Sequence, residues 1–422
     1  MAEMKTIGSR VLAVAVAALL LAACSDSGTP TAGPSTVPSS SIPVTTPKPP
    51  TTTQPPQTPG QTPSQTPGQT PGQTPGASCV DQKLQQLTPR ERAAQLIMTG
   101  ISTNGMTGAE RSIVRAQKPG GLLLMGDGGS ASHTRTAMAA ATTAAMLKGI
   151  GPFIAADQEG GKIQRLKGSG FDRIPAATVQ ATWSDDKLTA RAKTWGSQLK
   201  QAGVNMDLAP VADVVPASLG DDNAPIGALD RGYGNTPGEV GPHVVAFIKG
   251  MQAAGVMTSV KHFPGLGRVK GNTDFSSGVV DTVTTRDDDD LKPFAAGIQA
   301  GSDLVMISTA TYTKLDPKNR AVFSSTIIGG ILRGDLGFGG VVITDDVGAA
   351  AEVAAVPAGQ RATRFVAAGG DIVITAKASL TSTMVNALVA KAQQDKPFAT
   401  QLQSSVRRVL TLKQNRGLLS CG

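Results

Sequence analysis

The chain has 422 residues and a formal net charge of +8, yet only 3% of its residues are aromatic. Its lysines and arginines are not interleaved with aromatic residues, so we expect no nucleic-acid partner. The three histidines are isolated from one another and offer no paired metal-ligand spacing. We therefore expect neither a metal ion nor a cofactor.

The first 23 residues have the organisation of a secretory signal. Lys5 and Arg10 precede an apolar run over residues 11–23, which is short for a membrane span. The run ends in Leu-Ala-Ala before Cys24, a pattern that resembles the lipobox of bacterial lipoproteins. The resemblance implies cleavage before Cys24, acylation of that cysteine and an extracytoplasmic, lipid-anchored position at the cell membrane. An ordinary secretion signal is the alternative interpretation.

Residues 24–78 have the composition of a linker. They are rich in Pro, Thr, Ser, Gln and Gly, with QTPG-type repeats over residues 57–76. Such a segment has almost nothing to bury and should stay disordered, while its regular prolines keep it extended. We expect a stalk that holds a folded domain away from a membrane.

The folded domain is expected over residues 79–422. Its two cysteines, Cys79 and Cys421, lie at its ends. In an exported chain this placement predicts a disulfide that joins the ends of the domain, with two free thiols as the alternative.

Short apolar runs alternate with helix-like segments along this domain. Most runs are continuous rather than alternating, which is typical of parallel strands covered on both faces. The runs are 96–101, 120–126, 152–157, 204–214, 256–263, 303–309, 340–346 and 371–376.

Eight strands with helical crossovers, without a break in composition, predict a single (β/α)₈ TIM barrel. Polar residues stand at the carboxyl ends of several runs, where the catalytic groups of such barrels lie. They are Asp157, Asp213, Lys261, His262, Ser308 and Asp345.

The stretch KHFPGLGRVKGNTDF, residues 261–275, does not fit a phosphate-binding loop. Lys270 occupies the position where a dinucleotide fingerprint needs its third glycine, and no helix pattern follows at once. No G-x-S-x-G nucleophile motif occurs in the chain. Carboxylates near the strand ends remain, and a pair of them is the minimal equipment for glycoside hydrolysis.

Five blocks between residues 157 and 346 then carry a specific resemblance. DQEGGKIQRL, APVADV, IGALDRGYG, KHFPGLG and GVVITDD resemble, in this order, the motifs of glycoside hydrolase family 3 in its β-N-acetylglucosaminidase branch. The resemblance implies the (β/α)₈ barrel and a retaining reaction through a covalent glycosyl-enzyme intermediate.

The blocks also imply individual roles. Asp345, the first acid of ITDD, matches the nucleophile, and Asp346 beside it would have a supporting role. The residues that match the family's substrate contacts are Asp157, Arg165, Arg231, Lys261 and His262.

The chain departs from the family in the loop that moves the proton. Leu266 replaces a histidine of the usual KHFPGHG tract, and the following triplet places Asp274 where a catalytic histidine normally stands. Asn272 takes the place of that histidine's aspartate partner and could donate a hydrogen bond. In one interpretation Asp274 is the general acid/base; in the other the chain binds without cleaving.

We therefore expect an exo-β-N-acetylglucosaminidase that acts on cell-wall fragments, is held at the membrane by its lipid anchor and is a monomer. The alternatives are a catalytically dead, lipid-anchored muropeptide-binding protein and a family 3 β-glucosidase or phosphorylase. The type of the sequence blocks disfavours the β-glucosidase.

Overall fold

The computed structural model describes residues 78–420; residues 1–77 and 421–422 lie outside the described part of the chain. Eight parallel strands form its central sheet, and each overlaps one of the apolar runs that predicted it. In chain order, β1 to β8 are Ile97–Ser102, Gly121–Met125, Phe153–Ala156, Met206–Asp207, Met257–Phe263, Leu304–Ile307, Val341–Thr344 and Val373–Thr375.

The sheet curls until its two edge strands meet. Strands β1 to β7 follow one another in chain order, and β8 pairs with β1. At the remaining edge, the N–H of Thr344 donates to the Ile372 carbonyl, and the N–H of Ile372 donates to the Val342 carbonyl, each at 3.0 Å. These bonds link β7 to the chain entering β8, so the parallel sheet forms a TIM-like α/β barrel, as predicted.

Helices connect the strands. In chain order, α1 to α11 are Cys79–Gln86, Pro89–Gln95, Gly108–Gln117, Ala131–Ala145, Ala177–Gln180, Asp185–Gln201, Pro237–Ala253, Lys292–Gln299, Ala358–Ala367, Thr381–Gln394 and Lys396–Asn415, and a π-helix spans Thr326–Asp335. Helices α3 and α7 begin at capping boxes, in which Thr107 and Thr236 exchange hydrogen bonds with a glutamate three residues later. Gly203, with φ of 84°, follows the end of α6 in a backbone conformation that favours glycine.

Shorter elements decorate the loops. A hairpin pairs Gln158–Gly160 with Ile163–Gln164 directly after β3, and a small sheet joins Val280–Asp281, Thr311–Tyr312 and Asp316–Arg320. The 3₁₀ helices are Gly220–Asp222, Gly227–Leu229, Asp289–Leu291, Ala321–Phe323, Ala351–Val353 and Ala378–Leu380.

The barrel strands are buried along nearly their whole length, as their continuous apolar runs predict. Ile97, Leu122 and Ile343, for example, are fully buried. Burying each such side chain stabilises the fold by about 1.5–3 kcal/mol. This packing holds the carboxyl ends of the strands, and the polar residues that follow them, in fixed positions.

The two ends of the described chain lie side by side. Arg407 on α11 contacts the Asp81 carboxylate on α1 at 2.6 Å. Cys79 opens α1, but Cys421 lies outside the described residues, so the disulfide stays a prediction. The signal segment, Cys24 and the linker also lie outside them. Within residues 78–420, no helix has the length and apolar character needed to cross a membrane.

Candidate active site

A cavity of about 690 Å³ lies at the carboxyl ends of the barrel strands. All seven side chains predicted for catalysis and substrate binding line it: Asp157, Arg165, Arg231, Lys261, His262, Asp274 and Asp345. Strands β3, β5 and β7 end at or beside four of these positions, as expected for a parallel barrel. The structure thus brings the predicted residues together, and their individual roles stay predictions.

Two carboxylates hold the cations Lys261 and Arg231. The Lys261 Nζ lies 2.8 Å from Asp157 Oδ1 and 2.5 Å from Glu159 Oε1. Arg231 donates from Nε to Glu159 Oε2 at 2.8 Å and from Nη2 to Glu159 Oε1 at 2.7 Å. Two parallel hydrogen bonds of this kind fix both the position and the orientation of the guanidinium relative to the carboxylate. The four groups therefore form one network in the cavity wall.

The charges of this network stabilise one another. Burial alone would raise the pKa of Glu159, but the charges of Arg231 and Lys261 hold that pKa well below its ordinary range. Burial alone would lower the pKa of Lys261, whereas Asp157 and Glu159 raise it above its ordinary value. These opposing effects keep Glu159 and Lys261 ionised at neutral pH.

His262 is held between Asp213 and Arg231. Its Nδ1 lies 2.7 Å from Asp213 Oδ2, and its Nε2 lies 3.3 Å from Arg231 Nη2. A guanidinium nitrogen can only donate, so we assign Nε2 as the acceptor and place the ring proton on Nδ1. Asp213 also accepts the backbone N–H of Leu266 at 2.6 Å. Both ring nitrogens are therefore engaged, which favours a holding role for His262 over proton transfer.

Arg165 is the more accessible of the predicted cations. Its backbone N–H donates to the Asp157 carbonyl at 3.1 Å, and its Nε lies 4.0 Å from Asp157 Oδ2. The Arg165 side chain is 35% exposed, compared with 13% for Arg231 and 2% for Lys261. Its guanidinium can thus meet a ligand directly.

Asp345 follows β7 and lies half-buried in the cavity wall. Its N–H donates to the Ile307 carbonyl of β6 at 3.0 Å, which ties its backbone to the barrel. Asp346 has a different task, because its carboxylate accepts three backbone N–H groups, from Gly348, Ala349 and Ala376. Asp346 therefore shapes the loop that carries Asp345, and its supporting role in the reaction stays a prediction.

The loop that carries Asp274 is tied to the segment after β7. The carbonyls of Thr273 and Asp274 accept the N–H groups of Glu352 and Ala351, each at 3.1 Å. The buried Glu352 carboxylate also accepts the N–H of Val279 at 2.9 Å. These bonds hold the Asp274 loop against the cavity.

Asn272 contacts the backbone of the Asp274 loop. Its side-chain oxygen accepts the N–H of Asp274 at 2.9 Å. The physical reason is local, because asparagine readily bonds the backbone two residues onward and so builds a turn. Asn272 therefore shapes the backbone at Asp274 rather than orienting its carboxyl group.

The surroundings of Asp274 favour its protonated form. Desolvation by the cavity wall, followed by the negative charge of Asp345, raises the pKa of Asp274 to about 6, against the opposing charge of Arg231. The residue nevertheless keeps an exposed side at the cavity mouth. A carboxyl group that keeps its proton up to about pH 6 and reaches solvent can act as a general acid.

Sequence reasoning missed Glu159, although a signal for it was present. Glu159 stands two residues after Asp157 in the DQEGG block, and alternate residues of an extended segment point to the same side. Asp213 was noted as a polar strand end, but its contact with His262 was not predicted.

Asp207, in β4, was also missed. It is fully buried, its Oδ1 accepts the N–H of Gln158 at 3.0 Å, and its Oδ2 has no hydrogen-bond partner among the described residues. Burial raises its pKa to about 8. Nothing in the sequence distinguishes this carboxyl group from an ordinary strand residue. Residues 78–420 contain no group of three His, Cys, Asp or Glu side chains arranged to hold a metal ion.

The barrel and the carboxyl groups in its cavity have the minimal equipment of a glycoside hydrolase. The family profile described as "Glycosyl hydrolase family 3 N terminal domain" matches residues 80–412. The chain therefore belongs to glycosyl hydrolase family 3, and the enzyme acts on O-glycosyl bonds.

Individual proteins of known name or structure are also similar to this chain. A "Beta-hexosaminidase" of Stenotrophomonas maltophilia (strain K279a) is 31% identical over 303 residues, which cover 69% of this chain and 87% of the relative. The crystal structure of a β-N-acetylhexosaminidase from Beutenbergia cavernae is 43% identical, with a TM-score of 0.76, and the match covers 78% of this chain and 99% of that one. The structure of M tuberculosis LpqI is 26% identical, with a TM-score of 0.70 over 80% and 96% of the two chains.

Proposed function

We propose that the enzyme is a retaining exo-β-N-acetylglucosaminidase, with Asp345 as nucleophile and Asp274 as general acid/base. The observation that carries the proposal is the meeting of these two carboxyl groups in one cavity, with the pKa of Asp274 raised partly by the charge of Asp345. A pair of carboxyl groups whose environments separate their pKa values is the arrangement that acid and nucleophile require. The names of the hexosaminidase relatives support an N-acetylhexosamine as the sugar that is released.

In the first step, a carboxylate oxygen of Asp345 attacks the anomeric carbon. The bond from that carbon to the glycosidic oxygen breaks, and Asp274 gives its proton to the departing oxygen. The sugar is left as an ester of Asp345, and Asp274 is left ionised.

In the second step, a water molecule attacks the same carbon. Asp274 takes a proton from this water, the ester bond to Asp345 breaks, and the sugar leaves with its β configuration retained. Asp274 regains its proton and Asp345 its charge, so the cycle closes.

Five residues would hold the sugar during both steps: Asp157, Arg165, Arg231, Lys261 and His262. Arg165 can contact hydroxyl groups of the sugar through its accessible guanidinium. Lys261 and Arg231 lie in the cavity wall, where carboxylates already neutralise their charges. Groups held in place in this way orient the anomeric carbon with little reorganisation during the reaction.

The stereochemical assignment is tested by proton NMR of the first product formed from an aryl β-N-acetylglucosaminide. Initial release of the β anomer is expected, and initial release of the α anomer would contradict a retaining mechanism. Asp345→Asn should abolish this hydrolysis, and survival of activity would show that the nucleophile is wrongly assigned.

The role of Asp274 is tested with leaving groups of different basicity. Asp274→Ala should slow a methyl glycoside far more than an activated aryl glycoside, because only the poor leaving group needs a proton. Added azide should restore turnover of the aryl glycoside by the variant and give a β-glycosyl azide, since an anion attacks without a general base. Equal losses on both glycosides, with no azide product, would favour a binding role for Asp274.

The same assays separate the alternatives. A muropeptide-binding protein with a dead site would bind the fragments and release no sugar in the wild-type chain. A phosphorylase would form sugar 1-phosphate when inorganic phosphate is added, whereas a hydrolase would not. Rates on a β-glucoside and on the matching β-N-acetylglucosaminide would decide the donor sugar.

The proposed setting is the cell envelope, with acylated Cys24 as anchor, residues 24–78 as stalk and peptidoglycan fragments as substrates. Its support is the lipobox-like sequence and the linker composition. Labelling of the wild-type chain with radioactive palmitate, and loss of both label and membrane association in Cys24→Ala, are expected. Kinetics on defined muropeptides would test the substrate.

A further inference from the structure

Phe275 is unusual among the phenylalanines of this chain. It is 83% exposed, whereas the other nine are buried or half-buried. Single exposed apolar side chains are common on protein surfaces, so exposure alone decides nothing. The position of this ring carries the argument, because Phe275 lines the cavity that also contains Asp274 and Asp345.

The backbone around Phe275 is held firmly. The Asn272 carbonyl accepts the N–H groups of Phe275, at 3.1 Å, and of Ser276, at 2.8 Å. The preceding carbonyls of Thr273 and Asp274 are tied to the segment after β7 by the two hydrogen bonds described above. An exposed aromatic ring on a fixed backbone is a preformed contact surface, because little backbone freedom is lost when a ligand meets it.

Its neighbour in sequence defines which part of a ligand the ring would meet. The acid Asp274 must touch the glycosidic oxygen, which joins the released sugar to the leaving group. In the proposed mechanism the released sugar occupies the interior of the cavity, which places the leaving group on the solvent side of Asp274. Phe275 follows Asp274 directly and is open to solvent.

We propose that the Phe275 ring forms a leaving-sugar subsite, where it stacks on the apolar face of the pyranose ring that departs. The C–H face of a pyranose is an apolar surface of about the size of an aromatic ring, and covering both removes apolar area from water. This inference rests on the proposed function and deepens it, because it requires a sugar ring as the leaving group of the natural substrate.

The test compares two substrates that both need protonation and differ in the group that leaves. One is N,N′-diacetylchitobiose, whose leaving group is a pyranose, and the other is methyl N-acetyl-β-D-glucosaminide. Phe275→Ala should lower kcat/KM for the disaccharide about tenfold, mainly through KM, and should leave the methyl glycoside within about twofold. Phe275→Trp should restore the disaccharide rate.

Val283→Ala is the matched control, because Val283 is also an exposed apolar residue but does not line the cavity. It should leave both substrates unchanged. Equal losses on both substrates in Phe275→Ala would assign the ring to positioning of Asp274 and overturn the subsite, and unchanged rates on both would overturn it as well. If the wild-type chain cleaves neither substrate, the proposed function itself fails; if it cleaves both, failure of the variant test concerns Phe275 alone.

Discussion

Glu159→Gln should destabilise the folded enzyme by about 3–5 kcal/mol, the usual cost of removing one partner from a buried ion pair. Glu159 accepts from Arg231 through both carboxylate oxygens, at 2.7 and 2.8 Å, and lies 2.5 Å from Lys261 Nζ. Glutamine keeps the shape but removes the charge and turns one acceptor into a donor. In the variant, Lys261 would keep its ion pair with Asp157. Arg231 would lose its ion pair with Glu159, the one carboxylate within ion-pair distance of it among the described residues.

The chain offers a matched control at its surface. Arg286 donates to Asp335 from Nε at 2.6 Å and from Nη2 at 2.7 Å, which is the same two-bond geometry. Both of these side chains are well exposed, at 52% and 40%. Asp335→Asn should therefore cost far less stability than Glu159→Gln. The difference between the two variants isolates the effect of burial and of the second cation.

The assay is urea unfolding followed by tryptophan fluorescence, at pH 7 and at several lower pH values. The folded-state pKa of Glu159 lies well below its unfolded value of about 4.3, so its stabilising effect is present above that pH. The difference in free energy of unfolding between wild type and Glu159→Gln should thus persist at pH 5 and shrink as the pH falls further. The reasoning would be refuted if Glu159→Gln lowered the free energy of unfolding no more than Asp335→Asn does. It would also be refuted if wild type and Glu159→Gln already had equal free energies of unfolding at pH 5.

Three further outcomes are expected. For an unactivated glycoside, kcat/KM should fall as the pH rises through about 6, because Asp274 must be protonated to act as acid; a flat profile to pH 8 would contradict its assignment. Glu352→Ala leaves the buried N–H of Val279 unpaired, so it should slow hydrolysis of the methyl glycoside at least about tenfold and raise proteolysis of the Asp274 loop. An unchanged rate would show that the hydrogen bond from Val279 to Glu352 is dispensable. The raised pKa of Asp207 makes its stabilising effect complete below about pH 4 and lost as the pH rises through about 8, so Asp207→Asn should flatten this part of the stability profile relative to wild type in urea unfolding at pH 5, 7 and 9.

The strands and the residues at their ends could be read from the sequence because both depend on local pattern. Continuous apolar runs indicate strands buried on both faces, and the polar residue that ends each run then lies at the cavity. Asp157, Lys261 and Asp345 were located in this way. Arg165 and Arg231 lie on loops, and only the resemblance of their sequence blocks indicated them.

The features of the site that the sequence did not reveal depend on contacts between distant segments. Glu352 is not marked by any local pattern, and its role appears only when the Asp274 loop packs against it. The hydrogen bond that Asn272 accepts from the Asp274 N–H was not predicted, because a matched motif transfers a residue's position and not the atom to which its side chain bonds. The raised pKa of Asp207 reflects its complete burial, which spacing along the chain cannot report.

The ion pairs of the cavity bear on the proposed use of an aspartate at position 274, where the family resemblance implies a histidine. Asp157 and Glu159 neutralise Lys261 and Arg231. Among the described residues, neither Asp345 nor Asp274 makes an ion pair, and the charge of Asp345 raises the pKa of Asp274 against the opposing charge of Arg231. Two nearby carboxyl groups cannot both ionise freely, and the one that keeps the proton becomes the acid. In the proposed mechanism, an aspartate at position 274 can carry the proton because the neighbouring cations are already engaged by other carboxylates. A second acid at position 272 would add a further negative charge.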